Sequence, residues 1–198
     1  MAGVRQDLRR ALHAVAYQQC GYFTAAQAVE VGYSYQAQKY HADSGNWVRQ
    51  ERGLFRLPDF PVGVDDAFAR WVVWSNGHGV ISHESAAAAH GLGDVDPQRI
   101  HLSVPVEFGR TSDVVVLHRA KLGSGEVERR PGWDVTTPAR TLRDLAAGEL
   151  SQELLEGAVR DALERGLMSR RALLRMTQAA EDHPALRLER ALAAVVPT

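Results

Sequence analysis

GYFTAAQAVEVGYSYQAQKYHADSGNWVRQERGLFRL, residues 21–57, is the stretch on which the reading of the fold turns. Thr24 followed three residues later by Gln27 is a capping box and predicts a short helix through Val31, where Gly32 supplies a left-handed terminator. Ser34 then caps a third helix, Tyr35 to Ser44, which Gly45 stops. Beyond it the residues alternate, with Trp47 opposite Val48 and Leu54 and Leu57 flanking Phe55, across a turn at Glu51-Arg52-Gly53. That pattern predicts a hairpin. Pro58 and Pro61 close the unit and mark a short linker.

Upstream, Val4, Leu8, Ala11, Leu12 and Val15 repeat at helical spacing, so residues 4–18 read as an amphipathic helix with Arg5, Arg9 and Arg10 outside its stripe. Gly21 ends it. Helix, helix, tight turn, helix, hairpin is the element order of a winged helix-turn-helix, whose second turn helix enters the DNA major groove. Ala37 and Ala42 are small enough to pack against the first two helices, which leaves Tyr35, Gln36, Lys39 and Tyr40 projecting outward, with Ser34 at the helix start. Gln bonds adenine bidentately, Lys reaches guanine or phosphate, and Tyr bonds phosphate or packs on thymine methyl groups. The wing offers Arg49, Arg52 and Arg56 to the phosphate backbone, where their charge would give salt-dependent affinity. Asp43 and Glu51, on the same face or wing, oppose it. Helix-turn-helix units also serve as protein-interaction modules.

Downstream a second core begins. DAFARWVVWSN (66–76) reads as a helix with Phe68, Trp71, Val72 and Trp74 packed inward. VISHESAAAAHGL reads as a strand running into a helix capped at Ser82 or His83 and ended by Gly91. IHLSVPV, DVVVLHR and WDVTT read as strands separated by turn-forming residues. PARTLRDLAAG is a helix with Pro138 in its first turn, and three further helices follow Ser151, Ser169 and Pro184. The expected architecture is therefore α+β. A winged helix-turn-helix spans residues 1–60, and a mixed α/β domain with a small sheet and a helical C-terminal third spans 61–198.

Composition narrows the class. The 198 residues are 45% hydrophobic, which suffices for one large core or two small ones. No run of 18 apolar residues occurs and the opening MAGVRQDLRRAL is charged and helix-periodic, so neither a membrane span nor a signal peptide is expected, and the expected compartment is the cytoplasm. One cysteine, Cys20, can form neither an internal disulfide nor a thiolate metal site, and reads as a small buried filler. The net charge of −1 hides a mild asymmetry: seven Lys/Arg against five Asp/Glu up to residue 60, and 16 against 19 beyond it. This permits a nucleic-acid-binding N-terminal module without demanding one.

The opening stretch, continued through LPDF, is similar to the N-terminal winged-helix domain of AbiEi-type antitoxins and transcriptional regulators of type IV toxin-antitoxin systems. VISHESAAAAHGLGDVDPQRIHLSVP and DVTTPARTLRDLA resemble the segments that follow in that family, so the likeness covers roughly residues 20–147. The resemblance implies an autorepressor that binds inverted repeats of double-stranded DNA in its own promoter. It implies a C-terminal domain that counteracts a nucleotidyltransferase-like toxin, bound directly or opposed indirectly. By position, the recognition helix would be Ser34 to Ser44 and the wing Trp47 to Leu57. Gln38 and His41 stand where many relatives place aliphatic residues, and the chain lacks the carboxylate and lysine cluster that longer relatives append. The alternative is a solitary winged-helix regulator or a protein-interaction adaptor without a toxin.

Enzymatic readings are weaker. His83 and His90 are seven apart, and His101 and His118 fall on expected strands, yet no H-E-x-x-H or Cys/His spacing occurs. Ser82, His83 and Ser85 lack a G-x-S-x-G elbow, and no phosphate-loop motif follows GHGV. Neither catalysis nor a cofactor nor a metal is expected. Arg140 and Asp144, four apart, read as an exposed or interdomain ion pair, and Arg170, Arg171 and Arg175 as a solvated face or an anion contact.

Overall fold

The computed structural model describes residues 2–195, with side chains from Gln6 onward. The chain divides into two compact units: one runs to Gly79 and includes Arg129–Trp133, the other takes in Val80–Glu128 and Asp134 onward.

The first unit begins with α1 (Ala2–Tyr17), β1 (Tyr22–Thr24), α2 (Ala25–Val31) and α3 (Tyr35–Asp43), followed by the hairpin β2 (Val48–Glu51) and β3 (Leu54–Arg56). Local chemistry sets these boundaries. Thr24 Oγ1 accepts from the Gln27 amide at 3.2 Å while Gln27 Oε1 accepts from the Thr24 amide at 2.9 Å, so the capping box closes on itself. Gly32 ends α2 at φ +117, and a Cβ there would stand 2.9 Å from Leu8 Cδ2, so both backbone and packing call for glycine. Ser34 Oγ accepts from the Ala37 amide at 3.2 Å and starts α3.

β3 is the central strand of a three-stranded sheet of order β1-β3-β2, antiparallel throughout. β1 has no counterpart in the sequence reading. Its three residues are all buried, so they show no alternation, and Thr24 belongs at once to the strand and to the next helix cap. Phe23 and Phe55 meet Trp47 beneath α1, with the Phe23 and Trp47 rings edge to face at 4.9 Å. α4 (Asp66–Trp74) follows. Asp66 receives the Tyr22 hydroxyl and, at 3.2 Å, Arg56 Nη2, and Glu51 meets Arg70 Nη2 at 2.7 Å. Those bonds tie α4 to the sheet, so this unit extends past the boundary that the prolines marked near residue 60. Cys20 is half-buried, and burial pushes its thiol pKa up.

The second unit holds β4 (Val80–Ile81), α5 (His83–His90), β5 (Ile100–Val104), β6 (Val115–Arg119), a 3-10 turn at Ser124–Glu126, the start of β7 (Val127–Arg130) and all but the first residue of β8 (Trp133–Thr136). α6 (Pro138–Ala147), α7 (Gln152–Glu164), α8 (Arg170–Gln178) and α9 (Asp182–Ala194) complete it. The sheet is mixed, of order β6-β5-β4-β8-β7: β4 runs antiparallel to β5 and parallel to β8, and β5 runs parallel to β6. β7 escaped the sequence reading because VERR holds one apolar residue and so no alternation. Leu92, Leu142, Leu145, Leu155, Val159, Leu173 and Leu188 join in one helical core. Gly93 at φ +63 lets the chain run against α7: a Cβ there would stand 3.0 Å from the Leu154 carbonyl oxygen. α9 starts at Asp182, ahead of the expected Pro184, and a first-turn proline forfeits no intrahelical hydrogen bond. Among the described residues no helix is long and apolar enough to cross a membrane.

Candidate functional site

The face that α3 turns outward is set by what it turns inward. Gln38 is buried, and its Nε2 donates to the carbonyls of Ala25 at 3.1 Å and Tyr33 at 3.2 Å, pinning α3 to α2. A polar residue at this inner position is satisfied by two backbone acceptors, so its burial is not penalised. His41 stacks on Trp47, with ring centroids 4.8 Å apart and planes 16° from parallel. With Gln38 and His41 inside, Tyr35 (73% exposed), Gln36, Lys39 and Tyr40 (66% exposed) share the solvent side, and Ser34 stands exposed at the helix start.

Arg49 and Arg52 are exposed on the hairpin, and the Arg49 guanidinium lies 5.1 Å from the Phe55 ring centroid. Arg56 departs from the expectation. It is 8% exposed, and its Nη2 donates to the carbonyls of Phe60 at 2.9 Å and Pro61 at 3.1 Å as well as to Asp66. A residue on the central strand with Asp66 held against it has its charge spent internally, so Arg56 leaves the candidate surface. Burial, then Asp66, pushes the Tyr22 phenol pKa well up. Of the two opposing acids, Glu51 is paired with Arg70, whereas Asp43 is exposed.

A second constellation lies in the other unit and was only half visible in the sequence. His83, His101 and His118 line a cavity of about 460 Å³ together with Glu84, Arg99 and Asp144. The His83 ring stacks on His118 with centroids 3.4 Å apart, and His118 Nε2 meets His101 Nδ1 at 3.1 Å. His90, the residue paired with His83 by spacing, is instead buried with its Nε2 at 2.7 Å from the Thr136 carbonyl. Strand register brings two of the three together, since β5 and β6 pair Ser103 with His118 and His101 with Val116, and the start of α5 brings His83. No local sequence signal carries such pairing.

Ser82 Oγ does approach His83 Nδ1, at 3.0 Å, but Ser82 is fully buried and the Asp144 carboxylate faces the same nitrogen at 3.9 Å. A nucleophile, its base and an orienting acid need opposite ring nitrogens, so this is not a catalytic triad. Among the described residues no group of three His, Cys, Asp or Glu side chains is arranged to hold a metal ion.

Burial first, then His118, His101 and Arg140, which would repel a second charge, holds His83 at about 3; burial followed by His101 holds His118 at about 4, and burial lowers His101. The folded state therefore favours neutral imidazoles. Above the unfolded value near 6.5 both states are neutral and the stability is full; as pH falls below it, the unfolded chain takes up protons that the fold refuses. The urea midpoint of the second unit is expected to drop from pH 7 to pH 5, with a shallower drop in His118→Asn. A midpoint independent of pH over that window would refute the assignment. Asp144, raised by burial, acts in the opposite sense at lower pH.

No protein-family model matches the chain, and no curated protein matches it in sequence. Among solved structures it is similar to the crystal structure of the Rv2827c protein from Mycobacterium tuberculosis, with a TM-score of 0.63 and 15% identity over 94% of this chain and 76% of that one. At that identity the likeness shows a shared mixed α+β fold.

Proposed function

We propose that this chain is a DNA-binding antitoxin and transcriptional autorepressor of the AbiEi type. Its first unit is a winged helix-turn-helix that lays α3 in the major groove, and its second unit counteracts a nucleotidyltransferase-like toxin. The observation that carries the DNA half is the α3 surface: an amide, an ammonium and two phenols stand in solvent on one face, beside two exposed hairpin arginines. The buried Gln38 bonds and the Trp47–His41 stack hold that face outward without help from a ligand. The Glu51–Arg70 pair offsets an acid that would repel phosphate. The toxin half rests on the resemblance of the segments 80–105 and 134–146.

A mobility shift with the upstream promoter region tests the reading. A shift that weakens as salt rises is expected, and no shift at low salt would refute the repressor role. Lys39→Ala and Arg52→Ala should weaken binding to every sequence and each flatten the salt slope by about 1, whereas Gln36→Ala should relax preference at one base pair by about 1–3 kcal/mol. Arg56→Gln should leave the salt slope unchanged in protein that remains folded. Wild-type behaviour in all three surface variants would move the contact elsewhere and favour the adaptor alternative.

A further inference from the structure

The imidazole-lined cavity of the second unit has a hydrogen-bonding character that its tautomers determine. His101 Nδ1 and His118 Nε2 share one proton across 3.1 Å, and the Glu84 carboxylate stands 3.9 Å from His101 Nε2. If His101 Nδ1 carried the proton, the lone pair on Nε2 would face that anion. Glu84 therefore favours the proton on His101 Nε2, which makes Nδ1 the acceptor of the His118 Nε2–H and leaves His118 Nδ1 with a free lone pair. With the rings neutral, the trio offers π faces and an acceptor and carries no charge to repel a cation.

The remaining lining matches. Glu84, Asp96 and Glu149 contribute carboxylates, and Arg99 is the cation among the lining residues. Asp144 is already engaged by Arg140 Nε at 2.8 and 2.9 Å. A volume of about 460 Å³ falls within the range of small-ligand pockets, roughly 300–1,000 Å³.

We propose that this cavity binds a guanidinium cation, stacked on the neutral imidazoles and forked onto Glu84 and Glu149. A guanidinium is planar, donates through five N–H groups, accepts nothing and stacks on aromatic faces, which is the complement of a lining rich in acceptors and rings. The cation arrives either as a free alkylguanidine or as an arginine side chain of a partner protein. This goes beyond the operator reading and stands apart from it, since a mobility shift reports on the first unit and the titration below on the second.

The test is calorimetric titration of the full chain near pH 7.5 with agmatine, with N-acetyl-arginine methylamide, and with N-acetyl-citrulline methylamide as the uncharged isostere. Saturable binding of a guanidinium probe with Kd on the order of 1 mM is expected, with none for citrulline. Glu84→Gln and Glu149→Gln, which preserve shape, should each weaken it about tenfold while thermal unfolding stays unchanged. In histidine-detected NMR the His118 signals should move on binding. Agmatine alone binding assigns a free ligand, and binding of the arginine amide assigns a partner's side chain. No saturation by either probe, equal binding of citrulline, or undiminished binding in both variants overturns the proposal.

Discussion

Arg187→Met is expected to destabilise the second unit by about 3–5 kcal/mol, because it leaves several buried carbonyls without a donor at roughly 1–3 kcal/mol for each one that water cannot reach. Arg187 lies on α9 and is 9% exposed. Its Nη1 donates to the carbonyls of Ala146 at 3.0 Å and Gly148 at 2.6 Å and, more weakly, of Leu145 at 3.4 Å, and its Nη2 donates to that of Leu150. These carbonyls belong to the end of α6 and the turn beyond it. The last helical turn has no intrahelical donors for its oxygens and carries the negative end of the helix dipole, so one guanidinium meets both needs. Methionine fills much of the same volume but leaves four acceptors facing an apolar side chain. Urea unfolding followed by circular dichroism reads the effect. Arg187→Lys should fall between the two, because a single ammonium cannot serve four oxygens in fork geometry. A loss under about 1 kcal/mol for the methionine variant would show that water takes the arginine's place.

The second large effect is expected from Arg140→Met, again about 3–5 kcal/mol, because it strands a buried carboxylate. The TPARTLRDL stretch suggested an exposed or interdomain pair, but the side chains of Arg140 and Asp144 are 10% and 9% exposed and lie within one unit. Arg140 Nη1 also holds Glu126 at 2.9 Å, and Arg143 Nη2 meets the other Glu126 oxygen at 2.5 Å. Burial already raises the Asp144 pKa, with Arg140 as the main opposing influence. Without Arg140 the carboxyl should rise further. The folded state would then hold its proton more tightly than the unfolded chain, so the deficit should shrink as pH falls through the raised value and be largest above it. Adding Asp144→Leu to Arg140→Met should recover most of the loss at pH 7, since an apolar pair of similar volume needs no partner. A double variant no more stable than Arg140→Met would contradict the stranded-charge account.

These cases show where sequence reading runs out. The helical period puts position 187 on the stripe with Leu188, Ala191 and Leu192, while the chemistry of arginine argues for water; only the carbonyls of a helix some 40 residues away resolve the conflict. Arg56 is similar. Beside Arg49 and Arg52 it reads as part of a basic wing, yet Asp66 and two carbonyls claim it. On α3 helical spacing suffices for the exposure of Ser34, Tyr35, Gln36, Lys39 and Tyr40, whereas the burial of Gln38 is decided by the carbonyls of Ala25 and Tyr33.

What the amino-acid order determined by itself is short in range: the Thr24–Gln27 box, the left-handed Gly32, the Ser34 cap and the Gly53 turn, each closed by atoms at most a few residues apart. What tertiary structure alone decided is which charged and polar groups face inward. It also decided which three histidines of eight share a cavity. Local bonds form whatever the rest of the chain does, whereas the environment of a guanidinium or an imidazole is built by strands and helices brought from 17 to more than 40 positions away.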